Sequence, residues 1–343
     1  MIEPYYRDSF IKLYNGDVLT ILKQMSGASI NCVVTSPPYW GLRDYGINGQ
    51  FGLEKTPEEY VNKLVRIFGE VRRILKKDGV VWLNLGDSYW GGGFGTSPGG
   101  DEDFKKRYPK QASNKGGADH ETRKLLGSLK KGNALKPKDL VGIPWMTAFA
   151  LRADGWYLRQ DIIWNKPNPM PESVKDRCTK SHEYIFLLTK SAKYFYDADA
   201  IAEKSIDPES YNGRRPRNAP TIYYQDSIHC KNFGSVKDGK LSFGQTYENR
   251  NKRSVWIINT QSFSEAHFAV FPEKIPEICI KAGCPKDGTV LDPFSGSGTT
   301  GLVAKKLNRK CILIDLKKEY CDMSIKRFNQ QVLDLSKDVG DIT

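Results

Sequence analysis

The sequence has none of the long apolar runs that a membrane-spanning helix needs. No stretch reaches about 18 consecutive apolar residues, so a transmembrane helix is not expected. Residues 1–13 contain Glu3, Arg7 and Lys12, which makes this segment too polar for a signal peptide. We therefore expect a cytoplasmic protein that does not associate with a membrane.

Cysteines with the spacing of a metal or redox motif are also missing. The seven cysteines are odd in number, and no two of them stand in a C-x-x-C pattern. We therefore expect no disulfide framework and no metal site, and we interpret most of the cysteines as reduced core residues. The length of 343 residues allows one large α/β domain with a smaller module, or two domains.

Two common nucleotide-binding patterns are absent from a loop that otherwise looks suited to a nucleotide. The apolar strand 289–292 is followed by a glycine-rich loop and then by a helix, and the loop reads Asp292-Pro293-Phe294-Ser295-Gly296-Ser297-Gly298-Thr299. Its glycines do not have the G-x-G-x-x-G spacing, and no Lys-Ser/Thr pair of a P-loop follows. A cofactor that has an adenosine but no phosphates fits better, which favours S-adenosylmethionine.

Four residues of this region suit that cofactor. Gly296 and Gly298 allow the backbone to approach a ligand closely. Asp292 can accept hydrogen bonds from an ammonium group, and Asp315, which ends the next strand 23 residues later, can accept both hydroxyls of a ribose. S-adenosylmethionine carries an ammonium group and a ribose.

A second loop, Thr35-Ser36-Pro37-Pro38-Tyr39-Trp40, follows the apolar strand 30–34. Two successive prolines stiffen it, so it can direct the Ser36 side chain and the Pro37 carbonyl at one amino group, with Tyr39 as a stacking surface. Two acceptors at the exocyclic amino group of cytosine or adenine would localise its lone pair for attack on a methyl group. A base must leave the duplex to reach such a loop.

The charge is strongly basic and unevenly distributed. The net charge is +12, and the pI is near 9.2. Residues 101–140 hold 11 Lys or Arg against 6 Asp or Glu, and residues 204–253 hold 10 against 5. Both windows are rich in loop-forming residues, and their charge indicates a polyanionic partner.

The order of the predicted elements indicates an α/β fold with a doubly wound, mostly parallel sheet, because strands alternate with helices. The predicted strands are 10–14, 30–34, 80–85, 157–164, 183–189, 289–292 and 310–315. The predicted helices are 18–25, 57–75, 143–153, 273–282, 300–307 and 320–333.

Together these motifs resemble the DNA amino-methyltransferases of the beta arrangement, in which the catalytic motif precedes the cofactor motif. The segments that carry the resemblance are Asn15-Gly16-Asp17, Ser36-Pro37-Pro38-Tyr39, Trp164-Asn165-Lys166-Pro167, His267-Phe268-Ala269-Val270-Phe271-Pro272, the loop from Asp292 to Thr299, and Asp315. The resemblance implies a Rossmann-like methyltransferase fold and catalysis by Ser36, Pro37, Pro38 and Tyr39. It also implies that Asp17, Phe271, Asp292, Pro293, Phe294, Ser295, Gly296, Gly298, Thr299 and Asp315 bind S-adenosylmethionine.

The resemblance further implies how the chain is divided. Residues 1–167 and 263–343 form the catalytic and cofactor-binding domain, and residues 168–262 form the target-recognition region. We interpret the basic insertion at about 91–138 as a clamp on the DNA backbone. The implied partner is double-stranded DNA, with a restriction endonuclease acting separately and the enzyme working as a monomer or a homodimer.

Ser36 bears on the target base, since family members with serine at this position usually methylate cytosine N4. Members with Asp or Asn usually methylate adenine N6, which is the alternative here. An NAD- or flavin-dependent oxidoreductase conflicts with the glycine spacing and leaves the Ser36 loop without a role. A non-enzymatic DNA-binding protein on a degenerate methyltransferase fold is less consistent with the joint presence of Asp17, Ser36 and Asp292. An RNA or protein substrate stays open.

Overall fold

A computed structural model describes residues 2–41, 49–90, 135–204, 236–237, 240–241, 249–261 and 271–335. The described strands are β1 (Tyr6–Arg7), β2 (Ile11–Asn15), β3 (Ile30–Thr35), β4 (Leu75–Leu85), β5 (Tyr157–Asn165), β6 (His182–Thr189), β7 (Glu203–Lys204), β8 (Val236–Lys237), β9 (Lys240–Leu241), β10 (Asn249–Arg250), β11 (Val255–Ile257), β12 (Thr289–Asp292) and β13 (Lys310–Asp315). The described helices are α1 (Val18–Gln24), α2 (Pro57–Ile74), α3 (Ile143–Ala153), α4 (Lys274–Gly283), α5 (Thr299–Lys306) and α6 (Lys318–Leu335), with a 3-10 turn at Asp199–Ile201.

Nine of the described strands form one sheet in the order β1-β2-β13-β12-β3-β4-β6-β5-β11. Strands β1 and β6 run antiparallel to their neighbours, and the other neighbouring pairs are parallel. The predicted mostly parallel α/β fold is therefore confirmed. The antiparallel direction of β6 was not predicted.

The strand order reverses between β3 and β12, which lie side by side. From β3 the chain continues outward to β4, whereas from β12 it continues to β13 on the other side. At such a reversal the loops after the two strands diverge and leave a crevice at the carboxyl edge of the sheet, where ligands bind in open α/β folds. Both predicted functional loops begin at this position.

Helices pack on both faces of the sheet because successive residues of a strand point in opposite directions. Val81 and Leu83 of β4 belong to the buried cluster that contains Phe68 of α2. On the other face, a Cβ atom added to Gly283 of α4 would lie 2.5 Å from the side chain of Val80. The central strand is thus buried from both sides.

Helix α2 shows how the sequence sets a boundary. The Thr56 side chain accepts a hydrogen bond from the Glu59 backbone amide, and the Glu59 carboxylate accepts one from the Lys55 amide. The first bond satisfies an amide that a helix start leaves unpaired, and the second holds the residue before the cap. The helix ends at Ile74, and β4 starts at once, earlier than the predicted residue 80, because Leu75 already pairs with Ile30.

The chain divides into two compact units, residues 1–197 with 254–343 and residues 198–253. This differs from the predicted boundaries at 168 and 262, since β6 and β11 fall inside that range and are strands of the large sheet. In the smaller unit β7 pairs antiparallel with β10, and the side chains of Lys252 and Arg253 donate to the Glu203 carboxylate. That residues 168–262 recognise the target stays a prediction.

Several predicted features lie outside the described residues. They are most of the insertion at 91–138, most of the basic window at 204–253, and His267 to Val270. None of the helices in the described part of the chain is both long and apolar enough to cross a membrane.

Candidate active site

The loop at residues 35–40 begins where β3 ends, next to the ends of β12 and β4. Pro37 is buried and Ser36 is partly exposed. Tyr60 of α2 donates a hydrogen bond from its hydroxyl to the Pro38 carbonyl at 2.9 Å. The Pro37 carbonyl follows Ser36 directly on this loop, and its role as a second acceptor stays a prediction.

The Tyr39 hydroxyl occupies the centre of a hydrogen-bonded network. Ser36 Oγ donates to Tyr39 Oη at 3.3 Å, and Tyr39 Oη donates to Glu183 Oε2 at 2.6 Å. Asn84 Nδ2 donates to the same Glu183 oxygen at 3.1 Å, and Lys166 forms an ion pair with Glu183 Oε1. The ends of β3, β4 and β5 and the start of β6 thus meet around one carboxylate.

The Tyr39 ring packs against the backbone of Gly86, directly after β4. A Cβ atom at position 86 would lie 2.5 Å from Tyr39 Cε2, closer than such atoms approach one another, so glycine is required there for this ring position. Burial, with the Glu183 carboxylate close by, raises the pKa of Tyr39 well above its usual value. The hydroxyl therefore stays protonated and acts as a donor to Glu183.

Asp292 is buried and connects the two functional loops. Its carboxylate is 1% exposed and accepts hydrogen bonds from Thr35 Oγ1 at 2.7 Å, from Thr300 Oγ1 at 2.6 Å and from the Phe294 amide at 3.1 Å. Burial raises the pKa of Asp292 to about 6, although these donors act in the opposite direction. Since both oxygens are bonded within the protein, its predicted contact with the cofactor ammonium stays a prediction.

The cofactor loop offers an open surface at Gly296 and a closed one at Gly298. Both have positive φ angles, +50° and +75°. A Cβ atom at Gly296 would meet nothing within 4 Å, whereas one at Gly298 would lie 2.7 Å from Ser324 Oγ of α6. The Ser295 hydroxyl is buried and has no hydrogen-bond partner among the described residues. The loop thus combines a hydroxyl that lacks a partner with uncovered backbone at Gly296. A cofactor that contains adenosine could bind in this place.

Asp315 ends β13 beside this loop. Its Oδ2 accepts from the Gly296 amide at 2.8 Å and its Oδ1 from the Lys317 amide at 2.8 Å. Burial raises the pKa of Asp315 to about 7 in spite of these bonds. Further hydrogen-bond donors would stabilise the ionised form of such a carboxylate, and the two hydroxyls of a ribose can supply them. The residues of this edge therefore fit S-adenosylmethionine.

Arg327 supports the cofactor loop from α6. Its Nη1 donates to the Ser297 carbonyl at 2.7 Å and to the hydroxyls of Ser297 and Thr299 at 3.0 Å each. The side chain is 12% exposed. Arg327 thus fixes the turn between β12 and α5. Thr299, which was predicted to bind the cofactor, is one of its hydrogen-bond partners.

The other predicted cofactor residues occupy different places around this edge. Asp17 follows β2 and caps α1, where its Oδ1 accepts from the amide and the hydroxyl of Thr20. Pro293 is buried, and the Phe294 ring lies 5.6 Å from the Phe51 ring between centroids. Phe271 is partly exposed ahead of α4, and its role stays a prediction.

Sequence reasoning missed Glu183, Asn84 and Arg327. A neighbouring signal existed for Glu183, since Trp164-Asn165-Lys166-Pro167 was identified as a motif and Lys166 pairs with that carboxylate. The pairing itself depends on the antiparallel register of β5 and β6, in which Trp164 stands opposite Glu183. That register cannot be read from either segment alone.

Both the sequence and the fold are similar to those of known proteins. A family model described as DNA methylase, covering N6 and N4 methyltransferases, matches residues 30–326. The chain is 43% identical over 316 residues to the Type II methyltransferase M.SmaI of Serratia marcescens, covering 92% of this chain and 90% of that protein. It is 42% identical over 316 residues to the Type II methyltransferase M.Cfr9I of Citrobacter freundii, covering 92% and 86%.

A solved structure shares the fold. The cytosine-N4-specific PvuII DNA methyltransferase superposes with a TM-score of 0.61 at 21% identity, covering 95% of this chain and 89% of that one. A Thermus thermophilus protein solved with S-adenosyl-L-methionine gives a TM-score of 0.52 at 20% identity, covering 93% and 95%. The family match and the strong sequence identity confirm the resemblance, and the chain belongs to the DNA methylase family of S-adenosylmethionine-dependent N6/N4 methyltransferases.

Proposed function

We propose that this chain transfers a methyl group from S-adenosylmethionine to the N4 amino group of a cytosine that has left a DNA duplex. The observation that carries the proposal is the pair of acceptors on one stiff loop, the Ser36 hydroxyl and the Pro37 carbonyl. Ser36 uses its own hydrogen toward Tyr39 and keeps its lone pairs for an incoming donor. The two acceptors match the two hydrogens of an amino group.

The chemistry requires this geometry because the lone pair of an exocyclic amino group is delocalised into the base. Accepting both amino hydrogens favours a tetrahedral nitrogen whose lone pair can attack. When bound, S-adenosylmethionine supplies an electrophilic methyl group on a positively charged sulfur. The bond between Thr35 and Asp292 holds the acceptor loop next to the cofactor loop, so the protein contributes mainly proximity and orientation.

Cytosine is favoured over adenine by Ser36. Family members with serine in this motif usually act on cytosine N4, and the PvuII enzyme, which shares the fold, is named as cytosine-N4-specific. Both bases carry an exocyclic amino group, so adenine N6 stays the second candidate. Because neither group can reach the loop inside a duplex, the base must be flipped out, and Tyr39 is the proposed stacking surface.

Single-turnover transfer of labelled methyl groups to unmethylated double-stranded DNA tests the assigned roles. Ser36→Ala removes one acceptor and should slow transfer by about a hundredfold, the scale of losing one positioned hydrogen-bonding group at a reacting atom. Cofactor affinity should not change. Ser26→Ala, an exposed serine after α1, is the matched control. A Ser36→Ala enzyme as fast as the wild type contradicts the assignment.

We further propose that residues 168–262 recognise the target sequence. The compact unit 198–253 within this range gathers Arg250, Lys252 and Arg253 around Glu203, and basic side chains of this kind favour contact with phosphates. The relatives named Type II methyltransferases support a separately acting restriction endonuclease as the biological partner. The DNA of a host that expresses the chain should become resistant to cleavage by restriction endonucleases that share one recognition sequence.

A further inference from the structure

We propose that Ser36, Tyr39 and Glu183 form a proton relay that carries the proton released by the target amino group to the Glu183 carboxylate. The inference rests on the proposed function, since it concerns the same transfer. Methylation leaves the nitrogen with four bonds and a positive charge, and one of its hydrogens must leave as a proton. The proposal assigns the destination of that proton.

The donors of the network all point one way. Ser36 Oγ donates to Tyr39 Oη at 3.3 Å, and Tyr39 Oη donates to Glu183 Oε2 at 2.6 Å. Tyr39 Oη also lies 3.3 Å from Asn84 Oδ1, but a phenol has one hydrogen, and the nearer and charged oxygen of Glu183 takes it. Each hydroxyl therefore receives a hydrogen bond from the substrate side and passes one toward Glu183.

The step balances along this chain of bonds. The target nitrogen forms its bond to the methyl carbon while the carbon–sulfur bond breaks and leaves its electron pair on sulfur. As the bond to carbon forms, the nitrogen gives a proton to Ser36 Oγ, Ser36 gives its own proton to Tyr39 Oη, and Tyr39 gives its own to Glu183 Oε2. A four-bonded nitrogen of this kind is a far stronger acid than a carboxylic acid, so the transfer runs downhill.

The surroundings of Glu183 suit a proton acceptor. Lys166 holds Oε1 in an ion pair and Asn84 donates to Oε2, which fixes the carboxylate toward Tyr39. The Glu183 side chain is 14% exposed, so it can return the proton to water after each turnover. The raised pKa of Tyr39 keeps its hydroxyl neutral at rest, so Tyr39 passes a proton on and does not store a charge.

The titratable groups near Glu183 come from three directions. Lys166 reaches it from the end of β5, Tyr39 from the loop after β3, and Lys180 and His182 act on it electrostatically from its own side of the chain. Burial lowers the pKa of Lys180 and of His182. A variant that tests the relay must therefore change Glu183 alone.

Glu183→Gln is the decisive variant, because an amide oxygen can still accept the Tyr39 hydrogen bond but cannot take up a proton. We expect single-turnover methylation of DNA to slow by about a hundredfold, within the usual range for a lost acid–base group. Affinities for S-adenosylmethionine and for DNA should stay unchanged. The solvent deuterium isotope effect on the wild-type rate should disappear in this variant.

Tyr39→Phe and the double variant distinguish a relay from a loss of structure. Both single changes interrupt the same path, so the double variant should be no slower than the slower single variant. Glu277→Gln, which removes an ion-paired glutamate on α4, is the matched control and should keep the wild-type rate.

Three results would overturn the relay. They are a Glu183→Gln enzyme with the wild-type rate, one that keeps the wild-type solvent deuterium isotope effect, and a double variant whose losses multiply. If the wild type itself transfers no methyl group to DNA, the proposed function fails and the relay fails with it. If the wild type methylates DNA and Glu183→Gln does so equally well, only the relay is wrong.

Discussion

Thr35 and Asp292 are 257 residues apart in the sequence, yet the Thr35 hydroxyl donates to Asp292 Oδ1 at 2.7 Å inside the protein. The bond joins the last residue of β3 to the last residue of β12, at the place where the strand order reverses. Since each strand leads into one functional loop, this contact and the backbone pairing of the two strands hold the acceptor loop next to the cofactor loop.

The first prediction concerns this contact. Asp292→Asn should lower the free energy of unfolding by about 1–3 kcal/mol, because it replaces an acceptor oxygen with an NH2 group where Thr35, Thr300 and the Phe294 amide all donate. Urea denaturation of the cofactor-free protein measures the change. Asp287→Asn, at an exposed turn with φ of +62°, is the control and should be nearly neutral. Equal stability of Asp292→Asn and wild type would contradict the prediction.

The second prediction is a pH dependence of cofactor binding. The Asp315 carboxyl has its pKa raised to about 7, and the ionised form accepts hydroxyl donors more strongly than the acid. Binding therefore favours deprotonated Asp315 and weakens as the pH falls through 7. From about pH 8 to about pH 6 the ionised fraction drops roughly tenfold, so the Kd for S-adenosylhomocysteine should rise by up to about that factor.

Isothermal titration calorimetry at a series of pH values measures this Kd. The control is Asp315→Asn, which should bind more weakly than the wild type at high pH and show little pH dependence. A variant that keeps the wild-type slope would show that another group is responsible.

The third prediction concerns Gly86 and the Tyr39 ring. Gly86→Ala adds a Cβ atom 2.5 Å from Tyr39 Cε2, so the ring must move away from its place beside Ser36 and Glu183. We expect methyl transfer to fall by at least about tenfold while cofactor affinity is kept. Gly69→Ala, in α2 with nothing within 4 Å of the added atom, should leave the rate unchanged. Full activity of Gly86→Ala would show that the ring position is not critical.

The fourth prediction concerns Arg327. Arg327→Met keeps much of the apolar stem but removes the three donated hydrogen bonds to Ser297 and Thr299. The loop should loosen, and the Kd for S-adenosylmethionine should rise by about tenfold, as expected for losing about one net hydrogen bond to a charged group. Lys326→Met, an exposed neighbour, serves as the control. If both variants bind the cofactor equally well, Arg327 has no part in shaping the loop.

The sequence allowed the positions of both loops to be predicted because each follows a short apolar strand and stands beside strong local signals. The prolines at 37 and 38 restrict the backbone, and the glycines at 296 and 298 allow it conformations that other residues avoid. Both effects are independent of the rest of the fold. Strand β13 was predicted with the observed bounds, and α3 likewise. The positions of these loops, strands and helices depend mainly on residues that are close together in the sequence.

Features that depend on strand pairing could not be predicted in the same way. Glu183 looks like any polar residue at the start of a strand until β6 is placed antiparallel between β4 and β5. Asp292 was expected to face the cofactor, and only the neighbouring β3 and α5 reveal why its oxygens are already bonded. Both cases involve contacts between segments about 100 or more residues apart, such as Asn84 with Glu183.

The most direct test of the proposed function is the identity of the methylated base. Unmethylated double-stranded DNA is incubated with the wild-type protein and S-adenosylmethionine, digested to nucleosides and analysed by mass spectrometry, with the Ser36→Ala protein in parallel. We predict N4-methylcytosine from the wild type and a strongly reduced amount from the variant. N6-methyladenine as the product, or no methylated nucleoside at all, would contradict the account.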